Sequence, residues 1–248
     1  MLKRKALLIG CSNVPPELPG VIEDLKRYKN FLASNNGGAW NTNEIITSLN
    51  DDNDNILNKF KLLNNADFVF MLIAGHGEHR IFNNDEYDSR SGTYYYHNKN
   101  RITEPILVGL LFPRVKRSLI IVDVCRKKEY FEDLKKSVRE GFFSSMESGD
   151  VLSREAYRSI YDDTIANCPE ARIVAYSCSQ NQEAGDNGNG GIFSRALLNS
   201  YKPDGSGRIV NIKQAFDYTQ KYVNDNNYPQ MPLLEGGRGR VFFPFALT

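Results

Sequence analysis

The chain has 248 residues, with 31 lysines and arginines against 30 aspartates and glutamates, so its formal net charge is +1. This near-neutral balance gives no sign of a nucleic-acid-binding or membrane-surface protein, and no apolar run reaches the length of a transmembrane helix. The basic start precedes an apolar run too short for a secretory leader, which predicts a first strand instead. We expect a cytoplasmic protein with one domain over residues 1–248 and with no nucleic-acid or membrane partner.

The cysteines and histidines do not form a metal site or a disulfide framework. The four cysteines, at positions 11, 125, 168 and 178, contain no C-x-x-C pair, so reduced thiols are expected. His76, His79 and His97 have no cysteine at zinc-ligand spacing, and the acidic cluster at 51–55 lacks the glycine and glutamate of an EF-hand loop. The loop "GCSNVPPELPG" is not a glycine-rich phosphate loop. We expect no metal ion and no other cofactor.

Apolar runs alternate with helical patterns along the chain. Buried strands are predicted at 5–12, 66–77, 118–125 and 171–179, with a short strand or turn at 44–49, a small hairpin at 93–98 and a short final strand in 231–245. Helices are predicted at 18–34, 51–65, 103–115, 190–202 and 211–226. This alternation predicts an α/β fold, with a mostly parallel sheet and helices on both of its faces.

Chemically active residues follow two of the predicted strands. In parallel sheets, ligands bind beyond the carboxyl ends of the strands, where "AGHG" places His76 and "IIVDVC" places Cys125. Taken alone, a buried cysteine is more often a core residue than a nucleophile, and a histidine between glycines is common in turns. Together they predict a Cys–His dyad, in which an imidazole activates a thiol. The amides of Gly77 and Cys125 are the candidate oxyanion donors.

Six segments carry a resemblance to one family: "ALLIG", "LPGVIEDL", "FVFMLIAGHG", "IIVDVCRKK", "AYSCSQNQE" and "PLLEGG". Their order is similar to that of the caspase-like cysteine peptidases, and His76 lies 49 residues before Cys125, as in caspases. The chain most resembles paracaspases and metacaspases. It departs from the caspase pattern Q-A-C-R-G, because Asp123 and Val124 precede the cysteine and Lys127 takes the last position. The resemblance implies a three-layer fold with a six-stranded sheet.

The same resemblance implies a basic substrate. Caspases hold a substrate aspartate with arginines, whereas paracaspases line the S1 pocket with acids and cleave after arginine. The matching acids here are Asp24, Asp123 and Glu183. A guanidinium entering a partly desolvated pocket needs such opposing carboxylates, and an aspartate in a buried strand must be paired or line a cavity.

The other two acids leave alternatives open. Glu23 is as acidic as its neighbour Asp24, so that position could be an ordinary helix surface. In the segment after the strand at 171–179, Asp186 or Gln180 could take the place of Glu183.

The family implies an endopeptidase that acts on protein or peptide substrates, preferring Arg over Lys, without a calcium requirement. Residues 1–126 and 171–248 match the large and small subunits, and 127–170 matches the linker between them. Self-cleavage there is conceivable at the basic residues Lys127, Lys128, Lys135, Lys136, Arg139, Arg154 and Arg158. We expect a monomer or homodimer activated or recruited by a protein partner, in a stress, cell-death or anti-phage pathway.

Two hypotheses from other functional classes stay open. A catalytically silent caspase-fold scaffold would bind partners, although the presence of both His76 and Cys125 argues against it. A flavodoxin-like binding domain would need a phosphate-binding first loop, which "SNVPPELPG" does not supply.

Overall fold

A computed structural model describes residues 2–80, 92–99, 102–127, 152–186, 188–237 and 241–248. The strands are β1 (Arg4–Cys11), β2 (Ile45–Leu49), β3 (Phe68–Gly75), β4 (Gly77–Arg80), β5 (Gly92–Lys99), β6 (Ile102–Leu107), β7 (Arg117–Val124), β8 (Ala171–Tyr176), β9 (Ile209–Asn211), β10 (Leu233–Gly236) and β11 (Pro244–Leu247). The helices are α1 (Gly20–Ala33), α2 (Asn53–Lys61), α3 (Arg154–Asn167), α4 (Ile192–Leu198) and α5 (Ile212–Asp225).

A six-stranded sheet in the order β10-β8-β7-β3-β1-β2 forms the centre of the fold. Five of these strands are parallel, and β10 pairs antiparallel with β8 at one edge. Strands β3 and β7 are apolar on both faces apart from a few residues, as expected of strands covered on both sides. The predicted mostly parallel α/β sheet with helices on both faces is confirmed.

The two faces of the sheet bury separate cores. Alternate side chains of β1 divide between them: Leu8 packs with residues of α1, α3, α4 and α5, whereas Leu7 and Ile9 pack with α2 and the β5–β6 hairpin. This division follows from the two-residue period of a strand. None of the described helices is both long and apolar enough to cross a membrane.

One predicted helix is wrong. The segment 103–115, expected to be helical, contains most of β6 and a short 3-10 turn at Val108–Leu111. Strand β6 pairs with β5, and β5 pairs with β4, in a small three-stranded antiparallel sheet. Pro105 fits this sheet because β6 is an edge strand, where a missing N–H is tolerated.

Two features of the C-terminal part also go beyond the sequence prediction. The stretch 231–245 contains β10 and the start of β11, rather than one final strand, and β11 pairs with the short strand β9.

The basic residues of the proposed linker between positions 128 and 151 lie outside the described part. Arg154 and Arg158 lie on α3, where Arg158 pairs with Glu44 at 2.6 Å.

Candidate active site

Strand register places the two residues of the predicted dyad at the same level, just beyond the carboxyl ends of two adjacent parallel strands. Gly75 and Val124 are register partners in the parallel pair β3–β7. His76 follows Gly75 and Cys125 follows Val124, so the two residues leave adjacent strands side by side. Gly75 has φ +146°, a backbone conformation that other residues rarely adopt, which lets the chain turn sharply into His76.

A backbone carbonyl orients the imidazole of His76. The Nε2 atom lies 2.5 Å from the carbonyl oxygen of Pro16, in the loop between β1 and α1. A carbonyl only accepts, so Nε2 carries the proton and Nδ1 is left as the basic nitrogen of the neutral ring. Burial lowers the pKa of His76, while the carbonyls of Pro16 and Val14 oppose that shift. The ring is therefore neutral near physiological pH.

Burial favours the protonated form of the Cys125 thiol. Its Sγ, a weak donor, lies 3.7 Å from the carbonyl oxygen of Ala184. Burial raises the pKa of Cys125 to about 11, and the nearby carboxylates of Glu183, Asp123 and Asp186 add to the increase. A thiol with this pKa needs a base to take its proton as it attacks, which is the part that a neutral imidazole plays in nucleophilic catalysis.

Two predicted acids, Asp24 and Asp123, are buried near each other. Asp24 on α1 and Asp123 on β7 are 2% and 7% exposed. The Oδ2 of Asp24 accepts the N–H of Gly191 at 2.7 Å, and Asp123 accepts the hydroxyl of Ser194. Burial, followed by repulsion from Asp123, raises the pKa of Asp24 to about 8. Burial also raises the pKa of Asp123.

Asp186, an alternative that the sequence left open, joins these two acids, and the place of Glu183 in the S1 pocket stays a prediction. Asp186 raises the pKa of both Asp24 and Asp123 by repulsion. The carboxylate of Glu183 pairs instead with Lys127 at 3.1 Å. Asp24, Asp123 and Asp186 are called the acid cluster below.

The acid cluster has little compensating charge. The guanidinium of Arg27 lies 3.8 Å from Oδ1 of Asp24, beyond hydrogen-bond distance. Within the described part of the chain, this buried oxygen has no hydrogen-bond partner. A buried acceptor without a partner is costly, so the cluster is suited to receive a cationic hydrogen-bond donor.

Glycines make room for the three carboxylates. A Cβ atom at Gly20, Gly190 or Gly191 would lie 2.3–2.4 Å from an oxygen of Asp186, Asp24 or Asp123, respectively. Gly190 also has φ +111°, so a side chain there would be strained as well as obstructed. This glycine run, Ser194 and Pro16 were not among the residues predicted from the sequence. The string "GDNGNGG" was the available signal, because acids set among glycines indicate a tight turn around a polar site.

The structure also shows where the other residues singled out from the sequence lie. Gly77 begins β4, and a Cβ there would lie 2.4 Å from the carbonyl oxygen of Tyr94, so only glycine fits. Its role as an oxyanion donor, with Cys125, stays a prediction. His79 contacts Thr93, and His97 lies 3.9 Å from Glu104. Across the described residues, no group of three or more His, Cys, Asp or Glu side chains is arranged to hold a metal ion.

The sheet order, with its antiparallel edge strand and with histidine and cysteine after adjacent central strands, defines a protein of the caspase fold. Comparison with known families agrees: the caspase domain model matches residues 3–243, and the chain belongs to this family. Membership supports a cysteine peptidase of the caspase and metacaspase type.

The sequence identity between the chain and an individual relative is limited. Metacaspase-1 of Eremothecium gossypii is 32% identical over 142 residues, which cover 49% of this chain and 31% of that protein. The chain thus aligns with under a third of the metacaspase.

Two solved structures share the fold. A protein from Geobacter sulfurreducens superimposes with a TM-score of 0.62 at 15% identity, covering 99% of both chains. Caspase-1 from Spodoptera frugiperda gives 0.52 at 11% identity, covering 94% of this chain and 87% of that one.

Proposed function

We propose that the protein is a cysteine endopeptidase that cleaves polypeptides after arginine and, less readily, after lysine. The observation that carries the proposal is the acid cluster of Asp24, Asp123 and Asp186 beside Cys125, with one buried carboxylate oxygen left without a hydrogen-bond partner. An arginine side chain would supply the missing donors and the missing positive charge together. Lysine would supply one compact charge but not the planar fork of donors that several carboxylates can share.

In this proposal the chemistry uses His76 and Cys125. As the thiol sulfur attacks the carbonyl carbon after the substrate arginine, its proton passes to Nδ1 of His76. The imidazolium then protonates the leaving amine as the C–N bond breaks, which leaves an acyl-enzyme thioester. Water, deprotonated by the same imidazole, hydrolyses the thioester and restores the thiol. The amides of Gly77 and Cys125 would stabilise the oxyanion in both steps.

The carbonyl of Pro16 has a direct part in this cycle. It holds the Nε2 proton of His76, so the nitrogen that exchanges protons with Cys125 and the leaving group is Nδ1. When His76 becomes an imidazolium, the same carbonyl also stabilises the positive charge, since hydrogen bonds to a charged donor are stronger. No metal ion is required at any step, and calcium dependence is not expected.

The decisive experiment compares fluorogenic peptides that end in Arg, Lys or Asp, with purified protein and with the Cys125→Ala variant. Cys168→Ala is the matched control, because the buried thiol of Cys168 contacts the carbonyl of Phe242 and not the candidate active site. We expect Arg to be cleaved fastest by the wild type and by Cys168→Ala, and no cleavage by Cys125→Ala. Preferred cleavage after Asp would overturn the specificity, and inactivity of the wild type with and without calcium would favour the silent scaffold.

Processing, partners and pathway extend the proposal further. Self-cleavage at a basic residue of 127–170 would produce two fragments on a denaturing gel, and Cys125→Ala should prevent it. A monomer or homodimer that needs a protein activator would show low activity alone. These extensions, and a role in stress, cell death or defence against phage, are supported by family resemblance.

A further inference from the structure

A single hydroxyl links two groups beside the segment that carries Cys125. The Oγ1 of Thr93 lies 3.1 Å from Nδ1 of His79 and 3.1 Å from Nε of Arg126. His79 on β4 and Thr93 on β5 are register partners, and Arg126 directly follows Cys125. All three side chains are buried, so water does not readily replace any of these partners.

Proton counting fixes the direction of one of these hydrogen bonds: Arg126 can only donate, so its Nε–H is accepted by the Thr93 oxygen. The Thr93 hydroxyl can then donate its own proton to Nδ1 of a neutral His79, whereas a protonated ring would have to donate to the same oxygen. Protonating His79 would turn the hydroxyl proton away from the ring and place an imidazolium beside a buried guanidinium. Burial and the charge of Arg126 both lower the pKa of His79, which agrees with a neutral ring.

Arg126 is the residue through which this network reaches the nucleophile. Its guanidinium donates to the carbonyl of Cys178 at 3.2 Å and lies 4.2 Å from the ring centre of Tyr176. Its backbone N–H donates to Gln182, and its carbonyl accepts from Asn181. Arg126 therefore fastens the end of β7 to the loop after β8.

That loop also contributes directly to the site. It contains Ala184, whose carbonyl contacts the thiol of Cys125, and Asp186 of the acid cluster. A change in the setting of Arg126 would therefore move the nucleophile relative to both.

We propose that His79 and Thr93 are positioning residues for Cys125, which hold Arg126 in place only while His79 is neutral. The proposal goes beyond the dyad and the acid cluster, and its activity readouts rest on the proposed peptidase function. It makes the alignment of the nucleophile sensitive to acid through a histidine that does not touch the substrate.

The charged surroundings of His79 are simple in the described part of the chain. The charged group that faces its ring is Arg126, from the segment after β7. On its own strand, Glu78 and Arg80 pair with each other, and Tyr96 of β5 joins them. We therefore assign the acid sensitivity of the network to His79 itself.

The first test uses matched pairs of substitutions. Thr93→Val keeps the shape but removes the hydroxyl, and we expect kcat/KM on an arginine peptide to fall about tenfold to a hundredfold, as misplacement of a nucleophile predicts. Thr93→Ser keeps the hydroxyl and should stay within about threefold of the wild type. Thermal unfolding of each variant separates this effect from loss of folding. Equal activity of Thr93→Val and Thr93→Ser would overturn the proposal.

The second test is the pH profile of kcat at saturating peptide, which reports groups in the enzyme–substrate complex. His79→Asn offers an amide oxygen that accepts from Thr93 at every pH. In acid, kcat of the wild type should fall with the uptake of two protons, one at His76 and one at His79. In His79→Asn, kcat should fall with the uptake of only one proton, at His76. An unchanged acid limb in His79→Asn would overturn the proposal.

Two readouts do not depend on peptide cleavage. Nitrogen NMR of the labelled full-length chain should show the Nδ1 of His79 unprotonated at neutral pH, and alkylation of Cys125 by iodoacetamide should change in rate in Thr93→Val but not in Thr93→Ser. If both results hold while no peptide is cleaved, the positioning network stands and the peptidase function fails. A protonated Nδ1 at neutral pH, or equal alkylation of the two variants, would overturn the network itself.

Discussion

The carbonyl of Pro16 accepts a hydrogen bond from Nε2 of His76, 2.5 Å away, and so selects which imidazole nitrogen is basic. The sequence pattern predicts a dyad with no third member. The structure supplies one from the backbone, which explains why no acidic side chain had to be found for this role. Because a backbone carbonyl cannot be removed by substitution, the position of the loop between β1 and α1 sets the tautomer.

We expect His76→Ala to lower kcat on an arginine peptide about 10²–10⁴-fold, because the thiol then loses its proton acceptor. KM should change little, since the ring is not part of the acid cluster. His97→Asn is the control, because His97 lies near Glu104 in the β5–β6 hairpin. An equal loss in both variants, measured on folded protein, would show that the effect is structural.

Asp24→Asn should lose activity and gain stability in alkaline buffer. The folded chain holds a proton on Asp24 with a pKa of about 8, whereas the ordinary value is 3.8. Between these values the folded state binds more protons than the unfolded state, so the free energy of unfolding falls as pH rises. The Asp24→Asn substitution removes this loss of stability, because an amide does not titrate. At pH 8.5 we expect a gain of about 1 kcal/mol or more, equivalent to about 2–4 °C in Tm for each kcal/mol.

The neighbouring Glu23→Gln is the control for this change. Glu23 is 43% exposed in its side chain and pairs with Lys26 on the helix surface. Its removal should alter neither activity nor the dependence of Tm on pH between pH 6 and 8.5, where its carboxylate is ionised in both the folded and the unfolded chain. If the Tm difference between Asp24→Asn and the wild type does not shrink toward pH 5, the carboxylate is not held protonated as described.

The same proton makes substrate binding dependent on pH. An arginine side chain needs ionised carboxylates, so Asp24 must release its proton when the substrate binds. We expect KM for an arginine peptide to fall as pH rises from 6 to 8.5, and this dependence to weaken in Asp24→Asn. Calorimetry of agmatine binding in buffers of different ionisation enthalpy should register the release of a proton. A KM that is constant over this range would contradict the protonated cluster.

Much of the fold followed from local pattern, whereas the third acid did not. Long apolar runs in β3 and β7 identify buried strands, and the rule for parallel strands then places His76 and Cys125 after the ends of adjacent strands. Asp186 was one of several polar residues in a loop, and its position depends on glycines that pack against α1 and β7. The predicted helix at 103–115 failed because pairing with β5 outweighed local preference in a short apolar stretch.

Asp186→Asn and Glu183→Gln separate the two acids that the sequence left open. Asp186 belongs to the acid cluster, so we expect Asp186→Asn to lower kcat/KM on arginine peptides about tenfold or more. Glu183 is already paired with Lys127, and its loss should cost less than about threefold. The comparison is made at fixed pH with arginine and lysine peptides. The reverse order of effects would assign the third position to Glu183.

An arginine in the acid cluster should itself activate the nucleophile. The pKa of Cys125 stands at about 11, partly because Glu183, Asp123 and Asp186 repel the thiolate. A bound guanidinium offsets those charges, so the thiol pKa should fall and the thiolate fraction at pH 7.5 should rise. Each unit by which the pKa falls raises the thiolate fraction about tenfold but also weakens the thiolate as a nucleophile, so we expect saturating agmatine to accelerate alkylation of Cys125 by iodoacetamide about threefold to fourfold per unit.

The control for this activation is a variant with both Asp24→Asn and Asp186→Asn, in which agmatine has few carboxylates to bind. Alkylation of that variant should not respond to agmatine, and sodium chloride at equal ionic strength should not reproduce the acceleration in the wild type. Slower alkylation of the wild type with agmatine would mean that the ligand obstructs the thiol. In that case the acid cluster would bind substrate without activating Cys125, and the dependence of its thiol pKa on Asp123 and Asp186 would have no part in catalysis.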